Sequence, residues 1–209
     1  MTLDKFRHVA DRLLEPFVTA ADRVGLTPNG VSIIAFGFAV LAGGSYALTG
    51  HGLGPIEPTP LLYAAGAAFV LLNGWMDLLD GALARRQGVA SKAGDLLDHV
   101  LDRYADIVII AGLAAGTTQY LLGLLAITGV LMTSYLGTQA QAVGLDRVYG
   151  GLVGRADRLA IIGIVTLVAG FYTSSIYGLT LAGWLLVFFA VVGHFTALQR
   201  FYYSMAALD

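Results

Sequence analysis

The sequence of 209 residues has no cysteine and few charged residues, which make up 12% of the chain. Without cysteine there are no disulfides, thiolate metal ligands or cysteine nucleophiles, so metal or acid–base chemistry must use oxygen or imidazole groups. Soluble domains contain about 25% charged and 45–50% apolar residues, whereas this chain is 57% hydrophobic with a mean hydropathy of +0.75. The formal net charge of −2 gives no basic excess, so we expect no nucleic-acid partner. The composition predicts an integral membrane protein.

Long apolar stretches separated by polar loops run from residue 30 almost to the C-terminus. Because a helix needs about 20 apolar residues to cross a bilayer, each stretch is a candidate transmembrane helix. We expect an all-α integral membrane fold in which residues 1–209 form one membrane domain and 30–203 form a bundle of six transmembrane helices. The six stretches lie at 30–49, 61–82, 95–116, 119–143, 157–173 and 176–201.

Residues 1–24 are more polar, and their apolar residues recur at three- and four-residue spacing, which is typical of an amphipathic helix. We expect this juxtamembrane helix to lie along the membrane surface. The alternative is a helix that packs against the protein itself. Gly25 and Pro28 separate it from the first span. The recurring apolar residues are Leu3, Phe6, Ala10, Leu13, Leu14 and Phe17.

Lysine and arginine are absent from three segments that join the predicted spans, at 50–60, 116–119 and 173–176. Under the positive-inside rule, both termini and the two long polar loops therefore lie in the cytoplasm. This arrangement requires an even number of spans and predicts a multi-pass protein of the cell membrane. The cationic residues all lie toward the predicted cytoplasmic side; they are Lys5, Arg7, Arg12, Arg23, Arg85, Arg86, Lys92, Arg103, Arg147, Arg155, Arg158 and Arg200.

Acidic residues are concentrated where the second span ends and the third begins. Asp77 and Asp80 are three residues apart, and Asp98 and Asp102 are four apart, so each pair shares one helix face. A charge at membrane depth costs at least about 2.5–3.5 kcal/mol, so four carboxylates together are expected to share a cation. An all-oxygen ligand set suits Mg²⁺ or Mn²⁺ rather than zinc. Asp95 and Asp106 extend the same region and have no assigned role.

Small residues lie among these acids. Gly81, Ala84 and Gly94 leave room for a flat base and a phosphate chain to approach the backbone, and Arg85 offers a planar guanidinium to phosphate. The alternative for the glycines is close packing between membrane helices, in which small residues are common.

The segment 77–102 reads Asp-x2-Asp-Gly-x2-Ala-Arg-x8-Gly-x3-Asp-x3-Asp, and it resembles the signature of the CDP-alcohol phosphotransferase family. The resemblance implies a homodimer of six-span subunits, each with a polar cavity that opens to the cytoplasm. It also implies the transfer of a phosphatidyl-type group from a CDP-activated lipid, CDP-diacylglycerol or CDP-archaeol, to a small polar alcohol, with release of CMP.

The same resemblance implies roles for individual residues. Two divalent cations, Mg²⁺ or Mn²⁺, are expected to be held by four aspartates, and the last of these is expected to be the catalytic general base that accepts the proton of the acceptor hydroxyl. The implied metal ligands are Asp77, Asp80, Asp98 and Asp102, with Asp102 as the base. The implied CDP-binding residues are Asp77, Gly81, Ala84, Arg85 and Gly94.

The segment 150–158 resembles the Arg-x2-Arg segment of the family's inositol-phosphate branch, with Arg155 and Arg158 as candidate acceptor-binding residues. Two arginines one helical turn apart suit a phosphorylated polyol such as inositol phosphate; the alternative is anchoring to lipid headgroups. After a Ser-Tyr pair that branch carries a lysine and an arginine, where this chain has Gly137 and Gln139. Glycerol phosphate and serine therefore stay open as acceptors, and so does the choice between ester- and ether-linked lipid.

Two other classes of protein also place acids in membranes. Asn73-x3-Asp77 resembles part of the first motif of membrane prenyltransferases, but Gly81 stands where that motif has an acid. A cation or proton transporter would carry its ion on carboxylates, yet the acids cluster at the ends of two spans and no inverted repeat is visible. The sequence therefore favours the phosphotransferase.

Overall fold

A computed structural model describes residues 7–51, 58–145 and 153–208, with side chains described from residue 13 onward. Apart from an isolated bridge between Ile176 and Leu179, these residues contain no β-structure. The described part of the chain forms seven α-helices. These are α1 Arg7–Arg23, α2 Pro28–Leu48, α3 Leu61–Gln87, α4 Lys92–Thr117, α5 Tyr120–Ala142, α6 Arg155–Ala169 and α7 Leu181–Leu208.

Helices α2 to α7 occupy the six apolar stretches predicted from the sequence, which confirms the all-α fold for the described residues. Four of them, α2, α3, α5 and α7, are long and apolar enough to cross a membrane by length and composition. Helix α6 has 15 residues, and the first half of α4 carries the acidic cluster. The fold is that of a multi-pass membrane protein.

A short connection joins α3 to α4. Gly88 ends α3 with a φ of +65°, a left-handed conformation that glycine adopts without strain. Ser91 begins α4, and its hydroxyl accepts a hydrogen bond from the backbone N–H of Gly94 at 3.1 Å. The two halves of the acidic motif therefore lie on consecutive helices joined by a short turn, and both helices pack against α2.

The core of the bundle depends on close contact between α2 and α4. A Cβ atom added to Gly112 would lie 2.2 Å from the carbonyl oxygen of Gly43, so the two backbones touch. Further along, the buried hydroxyls of Tyr46 and Thr166 share a hydrogen bond of 2.9 Å, which joins α2 to α6. Helices α2, α3, α4 and α6 are thereby held in one group around the acidic segment.

Helix α1 packs one apolar face against the bundle. Leu14, Val18 and Ala21 are buried against α3 residues Leu79 and Leu83. This face matches the alternative of a helix packed on the protein. In contrast, Leu13 and Phe17 of α1 are 59% and 50% exposed. Contact of the face that carries Leu13 and Phe17 with the membrane surface stays a prediction.

Polar contacts fix the same helix to the end of α3. The guanidinium of Arg86 forms an ion pair with Glu15 at 2.9 Å and donates to Thr19 Oγ1 at 2.8 Å. Gln87 Nε2 donates to Asp22 Oδ1 at 2.9 Å. Helix α1 is therefore fixed to the C-terminal end of α3, which follows Asp77 and Asp80 in the chain.

Candidate active site

Three carboxylates from the α3–α4 pair form one cluster. Asp77 of α3 and Asp98 and Asp102 of α4 each place an oxygen so that all three atoms lie within 4.8 Å of one another. The side chains are partly buried, with Asp102 at 13% and Asp77 at 27% exposure. Three like charges at such distances repel one another unless positive charge lies among them.

The structure supplies that positive charge from α6. Arg155 forms an ion pair with Asp77, and its Nη2 lies 2.8 Å from Asp102 Oδ1. Its side chain is 15% exposed, and its Nε has no hydrogen-bond partner among the described residues. Arg103 Nη2 approaches the other Asp102 oxygen at 3.5 Å. Cations therefore contact both oxygens of the predicted general base.

The cluster opens into a small cleft between α2, α3, α4 and α6. Its apolar lining comes from α2 and α4, and its carboxylates come from α3 and α4. The lining residues are Ser32, Ala35, Phe36, Asn73, Asp77, Asp98, Leu101, Asp102, Ala105 and Arg155.

The fourth aspartate of the motif, Asp80, lies outside the three-carboxylate cluster. It is 7% exposed, and its Oδ2 accepts a hydrogen bond of 2.7 Å from the hydroxyl of Ser32 in α2. Sequence reasoning missed Ser32. The available signal was a single hydroxyl in the first turn of an otherwise apolar span, on the side where the acids were expected.

The small residues of the motif lie near the ends of three helices. A Cβ on Gly81 would lie 3.5 Å from Arg85 Nη1, and one on Gly94 would lie 3.5 Å from Asn29 Oδ1 at the start of α2. Arg85 is exposed, and Ala84 is half-buried. At Gly81 and Gly94 an added methyl group would meet polar side-chain atoms at ordinary contact distance, so these positions border polar groups rather than a tight helix seam.

The two candidate acceptor arginines have different surroundings. Arg155 lines the cleft, whereas Arg158 is 3% exposed and holds Asp106 of α4 through two contacts, at 2.6 and 3.2 Å. Gly137 of α5 is buried and Gln139 is exposed. Residues 146–152, which include the start of the predicted acceptor segment, lie outside the described residues.

The donor set of the cleft suits a hard divalent cation. Its clustered ligands are carboxylate oxygens, which Mg²⁺ and Mn²⁺ accept and which zinc uses less often than nitrogen or sulfur. His99 Nδ1 lies 3.7 Å from the carboxylate of its neighbour Asp98 and is not part of the cluster. The ion pairs of Arg155 show that these oxygens attract positive charge.

Fold and site together define a helical membrane protein with an acidic cleft suited to a divalent cation, close to the short loop between α3 and α4. The chain belongs to the CDP-alcohol phosphatidyltransferase family, whose model matches residues 25–196 and so includes the whole acidic motif. This confirms the resemblance found in the sequence and makes the protein a transferase of the EC 2.7.8 type.

Relatives are similar over most of their length. The archaetidylinositol phosphate synthase of Methanothermobacter thermautotrophicus is 34% identical over 206 residues, which cover 96% of this chain and 93% of that protein. The enzyme of the same name from Pyrococcus horikoshii is 30% identical over 208 residues, covering 99% and 98%. The phosphatidylinositol phosphate synthase of Mycobacteroides abscessus is 34% identical over 163 residues, covering 75% and 69%.

Solved structures show the same fold. The Mycobacterium tuberculosis phosphatidylinositol phosphate synthase PgsA1 with CDP-DAG bound has a TM-score of 0.75 and 27% identity, covering 92% of this chain and 94% of that one. The same protein in complex with manganese and citrate has a TM-score of 0.76 and 26% identity, covering 92% and 88%.

Proposed function

We propose that the chain transfers a phosphatidyl-type group from CDP-diacylglycerol or CDP-archaeol to an alcohol and releases CMP. The observation that carries this proposal is the cluster of Asp77, Asp98 and Asp102 beside a cleft, on a segment that matches the family. The CDP-DAG held by a structural neighbour supports a CDP-activated lipid as the donor.

Two divalent cations, Mg²⁺ or Mn²⁺, are the proposed cofactors, and the manganese complex of a neighbour supports them. When bound, such ions neutralise a diphosphate and stabilise the leaving CMP. Their proposed ligands are Asp77, Asp80, Asp98 and Asp102. Asp80 would act from the next turn of α3, where the Ser32 hydroxyl orients its carboxylate.

The diphosphate and cytidine are proposed to lie against Asp77, Gly81, Ala84, Arg85 and Gly94. The exposed guanidinium of Arg85 is the cation of this set, and it can reach a phosphate in planar, two-point contact. Gly81 and Gly94 keep side chains away from the path of the nucleotide.

Asp102 is the proposed general base that takes the proton from the acceptor hydroxyl. One of its oxygens is held by Arg155 at 2.8 Å, so this guanidinium competes with the acceptor hydroxyl for the carboxylate. An acceptor phosphate provides a new partner for Arg155, which would free the carboxylate when the acceptor arrives. Arg158 is the second proposed acceptor residue; it follows Arg155 by one turn of α6, and its guanidinium contacts Asp106.

A phosphorylated polyol such as inositol phosphate is the proposed acceptor, in line with the names of the relatives. Glycerol phosphate and serine are the alternatives, because Gly137 and Gln139 carry no positive charge. With Arg158 paired to Asp106, Arg155 is the cation that reaches into the described cleft.

For the whole protein we propose six transmembrane helices within one domain, both termini and the active site facing the cytoplasm, and a homodimer in the cell membrane. The distribution of lysine and arginine supports the orientation. Helices α2 to α7 supply the six candidate spans.

The test is CMP release by the purified protein with Mg²⁺ and either CDP-diacylglycerol or CDP-archaeol. Inositol phosphate, glycerol phosphate and serine are supplied in parallel, with Asp102→Asn as the inactive control. Release with one acceptor alone establishes the reaction and names the alcohol. If no acceptor gives CMP and no CDP-lipid binds in an EDTA-sensitive manner, the transfer reaction is wrong and cation transport becomes the better hypothesis.

A further inference from the structure

Asn73 is a buried polar residue of the cleft to which the proposed reaction gives no role. It lies on α3 one helical turn before Asp77 and is 1% exposed. Its Nδ2 donates a hydrogen bond of 2.9 Å to the backbone carbonyl of Ala35 in α2. Its Oδ1 is buried and has no hydrogen-bond partner among the described residues.

The hydrogen bond to α2 fixes which way the amide faces. The Ala35 carbonyl can only accept, so the NH₂ group must lie toward it and the oxygen must lie on the other side of the Cβ–Cγ bond. A buried amide oxygen without a partner is costly and uncommon, particularly in a membrane bundle. This oxygen belongs to a side chain that lines the cleft, so a bound group can satisfy it.

The neighbouring groups restrict what that bound group is. An amide oxygen accepts hydrogen bonds or binds a hard cation, and it cannot donate. Asp77 follows on the same helix face, and Asp98 and Asp102 lie across the cleft. These three carboxylates outnumber the one guanidinium in the lining, that of Arg155, so the surrounding charge is negative. A neutral oxygen beside three carboxylates is a suitable further ligand for a divalent cation because it adds no repulsion.

We propose that Asn73 Oδ1 is a neutral oxygen ligand of the divalent cation in this cleft, in contact with the ion directly or through one bound water. The inference rests on the cation site of the proposed function and adds to it a residue outside the acidic motif. Asn73 fits this role because the bond to Ala35 holds its amide in place before the ion arrives.

Mn²⁺ binding to the purified protein in detergent, followed by electron paramagnetic resonance without any lipid substrate, tests the inference. Asn73→Leu keeps the approximate volume and removes the oxygen, and we expect it to weaken Mn²⁺ binding about tenfold or more. Asn73→Asp keeps an oxygen but loses the donor to Ala35, and we expect it to bind Mn²⁺ at least as tightly as the wild type.

A matched control is Thr133→Val, which removes a buried interhelical hydrogen bond of 2.8 Å to the Gly193 carbonyl between α5 and α7, away from the cleft. We expect this variant to keep wild-type affinity for Mn²⁺. Asp77→Asn serves as the positive control and should weaken binding.

Three outcomes would overturn the assignment of Asn73. The first is an Asn73→Leu variant that binds Mn²⁺ as tightly as the wild type while Asp77→Asn binds it more weakly. This outcome counts against the assignment even if Asn73→Leu raises the KM for an acceptor. The second is equal weakening in the Leu and Asp variants, because that would trace the effect to the Ala35 hydrogen bond. The third is wild-type protein that binds no Mn²⁺, or an Asp77→Asn variant that binds it normally; this outcome refutes the cation site itself and with it that part of the proposed function.

Discussion

The guanidinium of Arg155 forms an ion pair with Asp102, with 2.8 Å between Nη2 and Oδ1, and the same guanidinium contacts Asp77. One cation from α6 therefore contacts two carboxylates that are proposed to hold divalent metal. Arg155 and a divalent cation must compete for these oxygens, because the electrostatic attraction of each cation is strongest in direct contact with the carboxylate.

Replacement of Arg155 should separate its two proposed roles. Arg155→Ala leaves Asp77 and Asp102 without their internal counter-ion, so we expect Mn²⁺ affinity to rise about tenfold. The KM for a phosphorylated acceptor should rise about ten- to hundredfold, because a charge-assisted hydrogen bond is lost. The KM for CDP-lipid should change much less. Titration with Mn²⁺ and steady-state kinetics with each substrate varied in turn measure these effects.

The control for this variant is Arg86→Ala. Arg86 pairs with Glu15 and Asp22 outside the cleft, so its loss changes the net charge by the same amount without touching the cluster. Unchanged Mn²⁺ affinity in Arg155→Ala would contradict the competition. A similar rise in the KM values for the acceptor and for CDP-lipid would favour the alternative, in which Arg155 anchors the helix to lipid headgroups.

Asp102→Asn should abolish turnover while it preserves substrate binding. The amide has nearly the same shape as the carboxylate but cannot accept the proton of the acceptor hydroxyl, and loss of a general base costs about 10²–10⁴-fold in rate. CDP-lipid affinity should fall far less than turnover, because Asp77, Asp80 and Asp98 remain as proposed metal ligands. CMP release and equilibrium binding on the same preparation check both points. Normal turnover would show that another group takes the proton.

The acidic cluster could be predicted from sequence because helix periodicity alone puts Asp98 and Asp102 on one face. In the structure that face meets Asp77 although α3 and α4 pack against α2 rather than against each other. Helix positions were also predictable, since apolar length defines a candidate span. Both inferences use spacing along the chain and need no knowledge of how helices pack.

Contacts between distant helices could not be predicted in this way. Helices that are apolar on every side do not reveal which side faces a neighbour. The hydrogen bond from Ser32 to Asp80 depends on the relative rotation of α2 and α3, and the pair formed by Arg158 and Asp106 depends on that of α4 and α6. For that reason Asp80 and Asp77 could not be distinguished from the sequence. In the structure Asp80 contacts Ser32, whereas Asp77 contacts Arg155.

Breaking the buried ion pair between Arg158 and Asp106 should destabilise the protein. Both side chains are 3% exposed, so removal of one leaves a buried charge without its partner. Asp106→Asn should lower the free energy of unfolding by about 3–5 kcal/mol. The double variant Asp106→Leu with Arg158→Met removes both charges and should recover most of that loss. Thermal unfolding in detergent measures the difference; a double variant as unstable as the single one would mean that the pair is needed for packing rather than for charge balance.

Contact between α2 and α4 predicts a sharp difference between two glycines. A Cβ on Gly112 would lie 2.2 Å from the Gly43 carbonyl oxygen, and a backbone atom cannot move aside as a side chain can. Gly112→Ala should therefore push the helices apart and destabilise the protein by about 1–3 kcal/mol. A Cβ on Gly37 of α2 meets no atom within 4 Å, so Gly37→Ala should leave stability unchanged or raise it slightly. Unfolding temperatures of the two variants compare them directly, and equal temperatures would show that α2 and α4 do not touch at Gly43.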